Sequence, residues 1–301
     1  MNFRGEHETS DDRRSVGSSI KSESKLGGFP RARLAPVLLI GAGVGYVLVF
    51  LFIPMVLTAA YSLEGESYWH IFTTELYRIV LLRSLRVAVE VCVASIVLGY
   101  PVAYYLAKLT SMRRETVVVL LLFPLFVSFL IRTYSWFYVI GSRGLINYVL
   151  LSVGIIQSPI KFLFTEGAIV LGLTNWALPF MILPIYSSVD KIDKNLIEMS
   201  KNLGAGDIST FWEVTFPLSV PGMASGVMLV FILSFGAYIT PAILGGPEQA
   251  MIANMISMLF LVMLNWPLGT ALSVILALIT LGIVYVYNKV VGLDKLLEAM
   301  G

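Results

Sequence analysis

Long apolar runs alternate with short polar segments along nearly the whole chain, and six of them stand out, at 34–61, 80–107, 116–140, 167–186, 221–243 and 268–287. Each approaches or exceeds the roughly 20 residues that carry a helix across a bilayer. A soluble fold would have to bury several helices that are apolar on every face, so the pattern predicts an all-α membrane protein with six transmembrane helices. Two shorter apolar stretches, 145–156 and 251–264 ("MIANMISMLFLVML"), have a length that suits interfacial or re-entrant segments. They are expected to lie along the outer surface, with Trp266 and Pro267 marking the start of the sixth span.

Composition agrees with this class, since 57% of residues are hydrophobic and 13% charged, against about 25% charged in an ordinary soluble domain. Residues 1–33 are polar and rich in Ser, Gly and both charge signs, without the pattern of a removed signal peptide. They are expected to form a disordered tail, followed by a transmembrane domain over 34–289 and a short C-terminal tail over 290–301.

Lys and Arg set the orientation, because their excess marks the cytoplasmic side. Arg4, Arg13, Arg14, Lys21, Lys25, Arg31 and Arg33 lie before the first span, Lys108, Arg113 and Arg114 after the second, and Lys191, Lys194 and Lys201 after the fourth. All three groups fall on one side, which places both termini and the loop 187–220 in the cytoplasm. If the first short stretch crossed the bilayer, Lys191, Lys194 and Lys201 would move outside; if the second crossed alone, Lys289 and Lys295 would.

That loop is itself patterned as two short helices. Ile192, Leu196, Met199 and Leu203 recur at steps of three and four. Gly204 follows the last of them, where a left-handed residue would stop the helix, and Gly206 loosens the link. A second helix is expected to start at Asp207 as its cap, or at Thr210 with Glu213 as a capping box, and to expose Phe211 and Trp212. Pro217 and Pro221 are expected to end it and turn the chain sharply into the fifth span.

Glu198, Met199, Ser200, Gly204, Val214, Thr215, Phe216 and Pro217 stand at the spacing of the sequence Glu-Ala-Ala, three residues, Gly, nine residues, Ile-x-Leu-Pro. In this the chain resembles the permease subunits of bacterial binding-protein-dependent ABC importers, with Met199 and Ser200 in place of two alanines and Val214 and Phe216 in place of Ile and Leu. The stretches "LGYPVAYYLA" (98–107), "FLIRTYSW" (129–136), "LPFMILPIYSSVDKID" (178–193), "GAYITPAILGG" (236–246) and "NWPLGTAL" (265–272) are similar to the spermidine/putrescine type. The resemblance implies a coupling helix between the fourth and fifth spans that seats on an ATPase, with Glu198, Gly204, Ala205, Asp207, Phe211, Trp212 and Pro217 at the contact. It also implies a second related permease, two copies of an ATP-binding subunit, an external solute-binding protein and a bacterial inner-membrane location. ATP and Mg²⁺ would be held by the partner ATPases, and none by this chain. No nucleic-acid partner is implied.

Charge inside the apolar runs is the other candidate chemistry. Arg83, Arg86 and Glu90 fall on one face of the second run, and Arg132 lies in the third. Glu90 is expected to pair with Arg86 one turn away, the alternative being contact with a cationic solute; Glu166 is placed at a boundary. Arg132 either bonds backbone carbonyls or faces a pathway. Tyr134, Trp136, Trp176 and Tyr238 offer ring faces to a cation, or serve packing.

The chain carries no Gly-x-x-x-x-Gly-Lys-Ser/Thr, so no ATPase of its own is expected. Its only histidines, His7 and His70, lie in polar segments, and Cys92 has no partner for a disulfide, so neither metal nor nucleophilic catalysis is indicated. The reading from a different class is a stand-alone secondary transporter or channel for a small cation, with Glu90 carrying the coupled ion. Six spans without an internal repeat, and a stiff cytoplasmic loop, speak against it.

Overall fold

The computed structural model describes residues 31–64 and 67–291, so most of both expected tails, with His7, lies outside the described residues. The chain divides after Val56. The first unit holds most of helix α1 (Arg31–Ser62), whose apolar residues cover every face of the helix, as a helix surrounded by lipid requires. The second unit holds the remaining helices. These are α2 (Ser67–Thr73), α3 (Glu75–Lys108), α4 (Ser111–Leu122), α5 (Phe129–Ile140), α6 (Leu145–Ser152), α7 (Glu166–Asp190), α8 (Lys194–Asn202), α9 (Asp207–Thr210), α10 (Phe216–Phe235), α11 (Ile252–Leu261) and α12 (Trp266–Val291). No strand occurs among the described residues.

Among the described residues, four helical stretches, Gly43–Ser62, Glu166–Asp190, Asp207–Phe235 and Trp266–Lys289, are long and apolar enough to cross a membrane. The start of the last at Trp266 agrees with the sequence reading. The expected third span, 116–140, is not one helix: Ser111–Phe126 and Phe129–Ser152 meet at 94°. Pro124 lies in a 3₁₀ turn at the break, and the unbroken apolar letters on either side conceal it. The expected second span lies within the 34 residues of α3.

The central core joins α3, α7 and α10. Val87, Val91, Tyr100, Ala103 and Leu106 of α3 pack with Ile169, Leu173, Ala177, Met181, Ile182 and Ile185 of α7, and Val230 of α10 closes the cluster. Gly222 and Gly226, four residues apart on α10, let it approach α7 closely. A Cβ at Gly222 would collide with the Pro184 carbonyl and the Ser188 side chain, and one at Gly226 would stand 2.8 Å from Met181 Sδ. Small residues at this spacing are what helix association in lipid uses, because burying large apolar groups gains little there.

A second cluster gathers Ile71, Tyr77 and Val80 with Ile252, Met255 and Leu259 of α11 and Leu268, Leu272 and Ile275 of α12. The stretch 251–264 thus buries one face among α3 and α12, where the sequence suggested a helix lying along an outer surface. Ser84 explains the start of α11: its Oγ donates to Val80 O and accepts from Ile252 N, both at 2.8 Å, and so satisfies an N–H that the helix leaves free. The stretch 145–156 contains α6, held by buried Asn147, which donates to Gly141 O and Ile160 O and accepts from Ile160 N. The fifth expected span, 221–243, stops as a regular helix at Phe235, and residues 241–245 form a separate wide turn.

Candidate functional site

The loop 187–220 builds an elbow. Asp193 opens α8 by accepting from Asn195 N at 2.9 Å. The helix ends in a Schellman motif: Gly204 N donates to Lys201 O at 2.9 Å and Ala205 N to Ser200 O at 3.2 Å. Gly204 has φ +92, the left-handed conformation expected of it, where a side chain is strained.

Asp207 does not cap the next helix. Gly206 holds that position, and Asp207, the first residue of α9, turns back to Lys201 at 2.7 Å, clamping the two helices across the glycine link. Beside this carboxylate, through hydrogen bond and charge together, the Lys201 ammonium titrates above the ordinary lysine range. Thr210 makes no capping box with Glu213. It is buried, and its hydroxyl shares a 3.2 Å hydrogen bond with Ser200 from the other arm of the elbow.

The prolines do not turn the chain sharply either. Asp207–Phe235 runs on as one 29-residue helical stretch through a π-turn at Phe211–Thr215, where Phe216 N donates to Phe211 O. The wider turn admits Pro217, which lacks a donor for the α-helical ladder, and Pro221 lies inside α10. Phe211 points inward, against the rings of Tyr100 at 5.8 Å and Tyr104 at 5.3 Å, and so seats the elbow on α3. Tyr100 and Ser219 share a 2.7 Å hydrogen bond beneath it. Trp212 is exposed, as expected, and so are Glu198, Met199, Leu203, Ile208 and Pro217, while Ala205 is half-buried. Glu198 has no ion-pair partner among the described residues.

The intramembrane charges arrange themselves around Glu166 at the start of α7. Arg83 Nε meets it at 3.2 Å and Arg86 Nη2 bonds its other oxygen, while Arg83 Nη1 also donates to Glu248 O at 2.6 Å. Glu90 contacts Arg86 Nε at 3.6 Å, beyond hydrogen-bond distance, with its side chain 45% exposed. The expected Arg86–Glu90 pair is therefore the weaker half of an arrangement in which Glu166 takes both arginines. Spacing along one helix brings out Arg86 and Glu90, but Glu166 arrives from a helix some 80 residues away and leaves no local signal.

Glu90 and Trp136 line one cavity of about 470 Å³ between α3, α5 and α7, with Ala94, Leu98, Thr174 and Asn175. The other candidates are not among its lining residues. Arg132 donates to Pro124 O at 2.9 Å and lies 5.7 Å from the Phe129 ring. Trp176 packs between Phe129 and Phe180, and exposed Tyr134 neighbours Phe137. Tyr238 accepts from Ser257 at its hydroxyl and from Asn254 at its carbonyl.

Comparison with known proteins places this geometry in context. Residues 95–290 match the family described as binding-protein-dependent transport system inner membrane component. The chain is 35% identical over 248 residues to the spermidine/putrescine transport system permease protein PotB of Escherichia coli (strain K12), covering 78% of this chain and 90% of that protein. It shares its fold with a bacterial ABC transporter involved in the import of the acidic polysaccharide alginate, at 19% identity and a TM-score of 0.65 over 87% of this chain and 96% of that one. The same transporter in complex with its alginate pentasaccharide-bound periplasmic protein gives a TM-score of 0.65 at 19% identity, over 86% and 94% of the two chains. On the extent of the family match and of the identity to PotB, the chain belongs to the inner membrane components of binding-protein-dependent transport systems.

Proposed function

We propose that this chain is the permease subunit of an ATP-driven importer and forms half of a transmembrane pathway for a polyamine or a related small organic solute. The observation that carries the reading is the elbow: a clamped pair of short helices, bearing exposed Leu203, Ile208 and Trp212, continues directly into the helix Asp207–Phe235. A partner gripping those apolar groups would move a stiff lever rather than a loop. Its displacement would pass through Phe211 to α3, and through the close contact at Gly222 to α7. The likeness to PotB supports the polyamine class of solute.

In this reading α3 is the second of six spans, both termini face the cytoplasm, and the elbow seats on an ATPase through Glu198, Ala205, Asp207 and Trp212. Phe211 and Pro217 act from behind, holding the elbow to the span. Two ATP-binding subunits carry ATP and Mg²⁺, a second related permease completes the pathway, and an external binding protein delivers the solute. Family membership leaves the stand-alone carrier without support.

The test is reconstitution in proteoliposomes. Putrescine or spermidine uptake should require ATP, the ATPase subunit and the binding protein together. Uptake by this chain alone, without ATP, would overturn the reading.

A further inference from the structure

We propose that the cavity beside Glu90 is a subsite for an alkylammonium group of the cargo, with Glu90 as its counter-ion and Thr174 and Asn175 as its neutral hydrogen-bond partners. The proposal deepens the polyamine reading and rests on it.

Three observations lead there. Among the described residues Glu90 accepts no hydrogen bond, and its one ion-pair contact is the 3.6 Å approach of Arg86, whose Nη2 bonds Glu166 instead. Its carboxylate is thus the under-satisfied member of the cluster. Thr174, 5% exposed, lines the same cavity, and its hydroxyl is buried without a hydrogen-bond partner. Threonine in a helix ordinarily donates back to a carbonyl one turn earlier, as Thr133 and Thr270 do here. An unpaired buried hydroxyl is costly, and of those on Ser95, Thr174, Ser234 and Thr240 the Thr174 hydroxyl is the one at the cavity wall. Asn175, the next residue, is exposed at the same cavity and also has no side-chain bond among the described residues.

The exposure of these groups settles which way the cavity opens. A half-exposed carboxylate beside an exposed amide would be expensive against hydrocarbon, so this face of α3 and α7 meets a water-filled pathway. Thr174 lies eight residues into α7 from Glu166, some 12 Å along the helix axis. A cation would therefore pass Arg83 and Arg86, one of whose two charges Glu166 balances, before reaching Glu90. The rest of the lining is largely apolar, Ala94, Leu98, Val170 and Leu178 included, with Trp136 to one side. Methylene carbons fit such walls, and the indole face attracts an ammonium. A volume of about 470 Å³ lies within the range of small-molecule sites.

The experiment uses the complete importer in proteoliposomes, with labelled putrescine and spermidine as probes. Glu90→Gln should lower uptake on the order of tenfold, the effect of losing one charge-assisted contact, with complex yield unchanged, and Glu90→Asp should recover most of it. Thr174→Val and Asn175→Leu leave the charged cluster intact and should each raise the half-saturating amine concentration several-fold. Normal uptake in Glu90→Gln, while the wild type transports amines, overturns the subsite and leaves the polyamine reading standing. Loss of complex yield in Glu90→Gln, joined to unchanged half-saturation in the other two variants, assigns Glu90 to packing and also overturns it. A wild-type importer that takes up neither amine refutes both.

Discussion

Arg132 Nη1 donates to the carbonyl oxygen of Pro124 at 2.9 Å, across the break where the third apolar run bends by 94°. Breaking a helix inside an apolar environment takes carbonyls out of the regular ladder where water cannot replace the lost donors. The Pro124 carbonyl already accepts from Val127 N at 3.2 Å, and the guanidinium adds a second donor whose charge makes the bond stronger than a neutral one.

Arg132→Leu should therefore destabilise the protein by about 1.5–3 kcal/mol, the usual range for a hydrogen bond to a charged group, and Arg132→Lys by less. Thermal unfolding in detergent measures this. Unchanged unfolding with lost uptake would move Arg132 from the bend to the pathway.

Gly204 stands at φ +92 with nothing within 4 Å of where a Cβ would lie, so backbone strain alone opposes a side chain. Gly204→Val should cost about 1–2 kcal/mol of left-handed strain and misdirect the helix that follows. Binding-protein-stimulated ATP hydrolysis should fall, with membrane insertion intact. Gly204→Asn, a residue that tolerates this conformation, should retain most of the stimulation. Full coupling in the valine variant would separate the glycine from force transmission.

The Lys201–Asp207 contact fixes the elbow angle, so reversing one charge should uncouple the ATPase and reversing both should restore coupling. The readout is stimulated ATP hydrolysis by Lys201→Glu, Asp207→Lys and the double variant. Because Asp207 raises the lysine's pKa and Lys201 lowers the aspartate's, the contribution of the pair is fully present between the ordinary aspartate and lysine values. It is lost as pH rises through the raised lysine value or falls through the depressed aspartate value, so coupling should hold steady through neutral pH. A double variant as defective as the singles would refute the clamp.

Gly222→Ala forces a methyl group into the Pro184 carbonyl, whereas Gly282 has open space around it. Overpacking of this kind costs about 1–3 kcal/mol. Gly222→Ala should lower the unfolding temperature of the complex, and Gly282→Ala should not. Equal behaviour of the two would show that α10 and α7 are less closely packed than described.

What the sequence determined by itself was whatever a local signal encodes. The apolar runs gave the all-helical membrane class, because a span must be apolar along its own length. The glycine after Leu203 placed the end of α8, because few other residues adopt its conformation. The exposed Trp212 followed from the same short pattern.

Tertiary structure decided the rest. Asp207 looked like a cap because capping residues share its chemistry, but Lys201 lay within reach and Gly206 filled the cap position. Phe211 and Trp212 are adjacent and both aromatic, and the rings of Tyr100 and Tyr104 separate the half-buried one from the exposed one. Pro217 breaks a regular ladder, yet packing against α3 holds a π-turn that absorbs it. Arg86 and Glu90 are neighbours on one helix, while Glu166 reaches Arg86 from another. Which acid an arginine keeps is set by distances that only folding creates.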